Sequence, residues 1–118
     1  MYEIYGIKNC NTMKKAFDYL NAHKIPYEFH DYKKLGISAE KLKEWASQVG
    51  WEKLLNKQGT TWRSLDEETK NAITNEKKAV ALMQEKTSVI KRPVIELGNE
   101  IVIIGFEENL YNAIHWKH

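Results

Sequence analysis

The stretch YGIKNCNTMKKA, residues 5–16, decides how the rest of the chain is read. Before it, YEIYG at 2–6 is a short β-favouring run that ends on a glycine. A polar loop then carries Cys10, the single cysteine of the chain. From Thr12 to about His23 the apolar residues Met13, Ala16, Phe17 and Leu20 recur at helical spacing, with Asn11 as the expected N-cap. A strand that runs through a cysteine loop into a helix sets the sulfur where the unpaired amides of a helix start converge. Here those amides belong to Asn11, Thr12 and Met13.

Working outward, Pro26 ends any helical continuation, and IPYEFHDY at 25–32 predicts a second strand. Strand, helix and strand together are long enough for a parallel crossover. Ser38 is placed to cap a helix with Leu42, Trp45, Ala46 and Val49 on one face, and Gly50 closes it. The region from about 38 to 86 stays helical: WEKLLN at 51–56 reads as a short turn, Asp66 caps a small helix, and Asn75 caps one with Ala79, Leu82 and Met83 inward. VIKRPVIEL at 89–97 and EIVIIGF at 100–106 are two β-rich runs around Gly98 and Asn99, which predicts a hairpin with a two-residue turn. A last helix is expected to bury Leu110, Ala113 and Ile114. The order predicts an α/β fold: a thioredoxin-like, mixed four-stranded sheet with a helical insert between strands 2 and 3, as a single domain over 1–118.

Composition narrows the function. With 42% hydrophobic and 29% charged residues the chain has the balance of an ordinary globular protein, and no Pro/Gly- or Ser-rich tract marks a linker. The 18 basic and 16 acidic residues are interspersed, so no broad electropositive face for nucleic acid is expected. No apolar run approaches a membrane span, and MYEIYG lacks the layout of a signal peptide, so a cytoplasmic location and no membrane partner are expected. One cysteine cannot form an internal disulfide. Any redox chemistry at Cys10 must therefore take its second thiol from outside.

A free thiol ionises near pH ~8.5, and beside a helix start or cations this falls to about 3.5–7.5. Cys10 has both prospects, because Lys8, Lys14 and Lys15 flank it. A lone cysteine is commonly a small buried hydrophobe, but a polar loop is not an apolar stripe, and its place favours a reactive thiol. Thr12 is open between a plain first-turn residue and a hydroxyl that donates to the thiolate. Lys14 and Lys15 read as a solvated face. On residue type alone, Arg63 after Trp62 is a surface cation, whereas Arg92 inside a β run points to a cleft, and Pro93 belongs at a strand edge. His23, His30, His115 and His118 share no ligand spacing, although the last two stand one turn apart on a presumed C-terminal helix, and no metal is expected. Trp45, Trp51, Trp62 and Trp116 read as packing residues.

Four motifs in order, YGIKNCNTMKKA, HDYKK at 30–34, GTTWR at 59–63 and IKRP at 90–93, resemble the arsenate reductase-like (ArsC) family. The likeness is greatest to its YffB-type branch, which is related to the Spx regulators. The resemblance implies a thioredoxin-like fold with a helical insert, Cys10 as the catalytic thiol, and Arg63 and Arg92 facing it. It also implies a cis-proline at Pro93. In glutaredoxin-coupled arsenate reductases three arginines hold the oxyanion, the third just after the last strand, where this chain reads IIGFEEN with Phe106, Glu107 and Glu108. A dianion short of one guanidinium and beside carboxylates is poorly held, which speaks against arsenate. The expectation is a monothiol oxidoreductase: a glutathione-dependent thiol-disulfide reductase in which Met13 occupies the resolving-cysteine position. Asn11, Thr12 and Met13 would stabilise the thiolate, and Arg63, Arg92 and Pro93 would bind glutathione or an anion. No bound cofactor is expected; glutathione is the co-substrate, with glutathione or a glutaredoxin and a small thiol or protein mixed disulfide as partners. The alternative is an Spx-like transcriptional regulator or partner-binding module without catalysis. Spx proteins commonly carry a Cys-x-x-Cys switch that Cys10-Asn-Thr-Met13 cannot make.

Overall fold

In a computed structural model, which describes residues 1–117, strand β1 (Tyr2–Gly6) lies between β2 (Tyr27–Asp31), to which it is parallel, and β3 (Val94–Leu97), to which it is antiparallel. Strand β4 (Glu100–Ile104) pairs antiparallel with β3, which gives one mixed sheet of order β2-β1-β3-β4. The parallel pair needs a crossover, and helix α1 (Asn11–Ala22) supplies it. This is the thioredoxin-like sheet expected from the sequence. The chain divides into two compact units, one formed by Met1–Tyr32 with the chain from Arg92 onward, the other by Lys33–Lys91.

In the first unit, Tyr2 and Ile4 of β1 and Ile95 of β3 bury one side of the sheet against Met13, Ala16 and Leu20 of α1. Each fully buried side chain of this size is worth about 1.5–3 kcal/mol. Helix α1 stops at Ala22; Lys24 adopts a positive φ of 56° and the Ile25 amide returns to the Leu20 carbonyl at 2.9 Å. That tie makes Ile25 a buried plug, so the second strand begins at Tyr27 and not at 25.

The hairpin turn falls on Gly98 (φ 55°) and Asn99 (φ 68°), two left-handed residues in succession, as a tight turn between twisted strands requires. VIKRPVIEL is not one strand, however. Thr87–Val89 form a single 3-10 turn, and β3 begins at Val94, because Pro93 has no amide to contribute to a ladder. The last helix, α8 (Glu108–Asn112), also differs from expectation. Leu110 is 52% exposed, and the buried residue is Tyr111, whose hydroxyl donates to the Gly105 carbonyl at 2.6 Å. A five-residue helix fixes too few turns for spacing to predict its buried side.

Sheet residues Glu3, Tyr5, His30 and Glu96 are gathered by register, Glu3 opposite Glu96 and Tyr5 opposite His30. Tyr5 Oη lies 2.7 Å from Glu3 Oε2 and 2.8 Å from Glu96 Oε1. The His30 ring is 4.6 Å from that of Tyr5, and the buried Tyr32 ring is 6.4 Å from it.

The short helix α2 (Tyr32–Leu35) leads in sequence to the second unit, which contains α3 (Ala39–Val49), α4 (Trp51–Leu54), α5 (Thr60–Arg63), α6 (Glu67–Ala72) and α7 (Glu76–Glu85). It includes the segment 38–86 read as a helical insert. Its helix starts are capped as predicted: Ser38 Oγ accepts from the Lys41 amide at 3.1 Å, Asp66 Oδ1 from Thr69 at 2.7 Å, and Asn75 Oδ1 from Lys78 at 3.0 Å. Leu42, Trp45, Leu54, Met83, Val89 and Ile90 are fully buried there. Among the described residues no helix is long and apolar enough to cross a membrane.

Candidate active site

Cys10 occupies the N-cap of α1 itself, in extended conformation (φ −147°, ψ 132°), and Asn11 is the first helical residue. The expected cap at Asn11 is thus displaced by one position. The difference matters chemically, because the side chain at the N-cap is the one the free amides of the first turn address. The thiol makes no regular cap hydrogen bond. Once ionised, its sulfur is the acceptor for the Met13 and Thr12 amides. For Thr12 the contribution to the sulfur is therefore from its backbone.

The sheet brings the second element of the site. Strand β3 runs antiparallel to β1 with Val94 opposite Tyr5, so the residues just before Val94 overhang the end of β1 where the cysteine loop begins. The Arg92–Pro93 peptide is cis, as the resemblance implied. Arg92 sits close over Gly6, since a Cβ on that glycine would meet Arg92 Cβ at 3.5 Å, and its side chain hydrogen-bonds the sulfur. Partial burial works to raise the pKa of Cys10. The Met13 amide, the Arg92 hydrogen bond, the Thr12 amide and the Arg92 charge, in that order, outweigh it, and the net direction is down. The result is a thiol biased toward thiolate, half-exposed and able to be attacked or to attack.

Of the flanking cations, Lys14 pairs with Asp18 at 2.7 Å on the exposed side of the helix. Lys8 and Lys15 are exposed. The groove beside the sulfur is lined by Lys8, Asn9, Asn11, Lys14 and Phe17. Met13, in the resolving position, is fully buried; a Cβ at Gly6 would run into its thioether, which locks the helix start against the end of β1.

Arg63 is exposed at the end of α5 in the second unit, its guanidinium 3.5 Å from the Gln58 carbonyl. Phe106 packs its ring 4.6 Å from Tyr111 and 6.2 Å from Tyr19, while Glu107 and Glu108 begin α8. The segment where a third arginine was sought is thus an aromatic anchor and a helix start. His23 stacks on Tyr19 at 3.9 Å with its ring nitrogen 2.9 Å from the Tyr19 carbonyl. His115 lies beyond the end of α8 and not on a helix, and its proposed companion His118 is outside the described residues. Among the described residues no three His, Cys, Asp or Glu side chains gather as a metal site. Reading the sequence missed the Glu3, Tyr5 and Glu96 cluster, whose one outward signal is polar residues at alternate positions of a strand otherwise apolar.

Residues 5–114 match the model of the ArsC family. A curated relative from Haemophilus influenzae, described as an uncharacterized protein, is 42% identical over 96% of this chain and 97% of its own. Among solved structures, the YFFB (PA3664) protein is 50% identical with a TM-score of 0.88, covering 96% of this chain and 97% of that one. An arsenate reductase (ArsC) related protein from Brucella melitensis is 46% identical with a TM-score of 0.77, over 95% and 92% of the two chains. A possible arsenate reductase from Streptococcus mutans is 27% identical with a TM-score of 0.78, over 91% and 92%.

Proposed function

The chain belongs to the ArsC family, and we propose that within it this protein is a glutathione-dependent thiol-disulfide reductase that works with one cysteine. The observation that carries the reading is Cys10 at the N-cap of α1, its pKa lowered by the Met13 and Thr12 amides and Arg92, in a chain with no second thiol. The Cys10 thiolate attacks the glutathione sulfur of a mixed disulfide; the S–S bond breaks, the substrate leaves as thiolate, and Cys10 is joined to glutathione. A second glutathione thiolate then attacks that glutathione sulfur, which frees Cys10 and leaves oxidised glutathione. The net change is one exchange: a single incoming glutathione thiol replaces the substrate sulfur in the disulfide and is oxidised as that sulfur is reduced, and the substrate thiolate takes its proton from water. A glutaredoxin can replace the second glutathione.

In this proposal Arg92, which hydrogen-bonds the Cys10 sulfur and precedes Pro93, receives a glutathione carboxylate, with the reaction taking place in the cytoplasm. Arsenate is the less favoured substrate, since Phe106 stands where the third guanidinium would be needed and Glu107 and Glu108 follow it. The reading is tested by turnover of a glutathionylated peptide with glutathione as reductant. Activity that disappears in Cys10→Ser supports it. Undiminished activity in that variant defeats it, and no activity in the wild type, with thiolate still present at Cys10, favours the second reading, an Spx-like partner-binding module.

A further inference from the structure

The groove beside Cys10 has a volume of about 530 Å³, more than one reacting sulfur occupies, and all of its walls belong to the first unit. Arg92 is not one of those walls. Lys14 and Phe17 stand four and seven positions after the N-cap Cys10, so the groove follows one face of α1 away from the sulfur. At 1.5 Å per residue, seven positions carry the backbone roughly 10 Å along the helix. Helical side chains lean toward the N-terminus, so the Phe17 ring reaches back over the turn nearer the sulfur. An extended chain advances about 3.3 Å per residue, which puts the ring about two residues of such a chain from a cysteine seated at Cys10.

Phe17 is partly exposed and is held from behind by the edge strand β2, with its ring 5.6 Å from that of Tyr27 and 5.1 Å from that of Phe29. A ring fixed in this way offers an apolar face at little further cost in side-chain freedom. At the other end of the groove, Lys8 precedes the N-cap by two positions. Lys14 is answered by Asp18 at 2.7 Å, whereas Lys8 is exposed and outside any ion pair among the described residues. The groove therefore carries one unneutralised positive charge. Between its ends lie the exposed side chains of Asn9 and Asn11, each with an amide donor and a carbonyl acceptor, the two groups that a peptide backbone needs to meet.

We propose that this groove receives the polypeptide of a protein mixed disulfide: an aromatic residue about two positions from the modified cysteine lies on Phe17, and an acidic residue on the other side of that cysteine meets Lys8. The inference rests on the thiol-transfer reading above and names its substrate class, a glutathionylated protein segment of that pattern. Glutathione is assigned to Arg92, outside the groove, so the two halves of the mixed disulfide are recognised by different residues around one sulfur. Phe17 and Lys8 are then specificity-determining residues that take no part in the chemistry.

The test uses peptides of one length, each with a single cysteine activated as its mixed disulfide with thionitrobenzoate, added to the reduced wild-type chain without glutathione. The Cys10 thiolate attacks the peptide sulfur, a new disulfide joins the two, and thionitrobenzoate leaves as a coloured thiolate whose release gives the rate. Each rate is divided by that for the same reagent on mercaptoethanol, which has no side chain to dock. The peptide with Phe two positions from the cysteine and Glu on its other side, tried in both chain directions, should in one of them react about tenfold faster than its counterpart with Ala for Phe. Lys in place of the Glu should slow it about fivefold, an effect that shrinks as salt is raised. Phe17→Ala should erase the first preference and Lys8→Glu reverse the second. Both are ratios between peptides on one variant, so a general loss of reactivity does not imitate them, and if Phe17→Ala does not fold, the wild-type series and Lys8→Glu decide. Equal relative rates for all peptides, or preferences that persist in the variants, overturn the inference. Turnover of glutathionylated peptides without these preferences defeats the groove alone. Preferences without such turnover defeat the reductase reading and leave the groove, and a Cys10 inert to every reagent defeats both.

Discussion

Helices α3, α6 and α7 begin under a side-chain oxygen, whereas α1 begins under a sulfur. At Ser38, Asp66 and Asn75 the cap accepts an amide and satisfies it, and the free donors of the first turn are consumed by stability. At Cys10 the corresponding donors make no regular bond to the thiol and act on its ionised form. The same backbone feature does structural work in one unit and chemical work in the other. What distinguishes them is one atom at one position, together with the guanidinium that β3 brings to it.

The largest break in that contrast is Cys10→Ser, which turns the reactive cap into a structural one. Thiol transfer is expected to fall to the uncatalysed rate, while thermal unfolding shows a fold at least as stable as wild type, since serine is a preferred N-cap. Next, Arg92→Met removes the cation but leaves the helix amides. The Cys10 pKa should rise toward that of a free thiol, and a rise of one unit lowers the thiolate fraction, and with it the rate of alkylation by iodoacetamide below that pKa, about tenfold. An unchanged alkylation rate would show that the amides alone activate the sulfur.

Asn75→Ala sharpens the comparison from the structural side. It should cost about 1 kcal/mol in denaturant unfolding and leave Cys10 alkylation unchanged. The smallest effect is thermodynamic. A thiol whose pKa is lower when folded stabilises the protein fully above its unfolded value, about 8.5, and loses that contribution as pH falls through the folded value. Stability of wild type relative to Cys10→Ser should therefore grow as pH rises toward that value, by calorimetry, and a difference that is flat in pH would mean the folded thiol is not activated.

The caps at Ser38, Asp66 and Asn75 and the Gly98-Asn99 turn were legible because each is decided by a few neighbouring residues and the dihedral angles they tolerate. Where competition was local but close, the reading slipped: Asn11 is the better cap by residue type, yet Cys10 is in the N-cap position. The run VIKRPVIEL looked continuous because β propensity does not register that Pro93 lacks an amide. Tyr111 in place of Leu110 shows the limit of periodicity in a helix of five residues. Arg92 and Cys10 stand 82 positions apart in the sequence and meet through the pairing of β3 with β1, so spacing could not show it and the family resemblance supplied it. The acid cluster depends on the same pairing and had no motif to announce it.

Gly6 and Met13 carry a consequence for how this site can change. The missing side chain at position 6 and the long one at position 13 are complementary in shape, so each restricts the other. A second cysteine at position 13 would bring a shorter side chain into the space the thioether now fills, and would leave a void beside the very turn that activates Cys10. Conversion to a two-thiol site is therefore not a one-letter step: the single cysteine is held in place by volume as well as by chemistry.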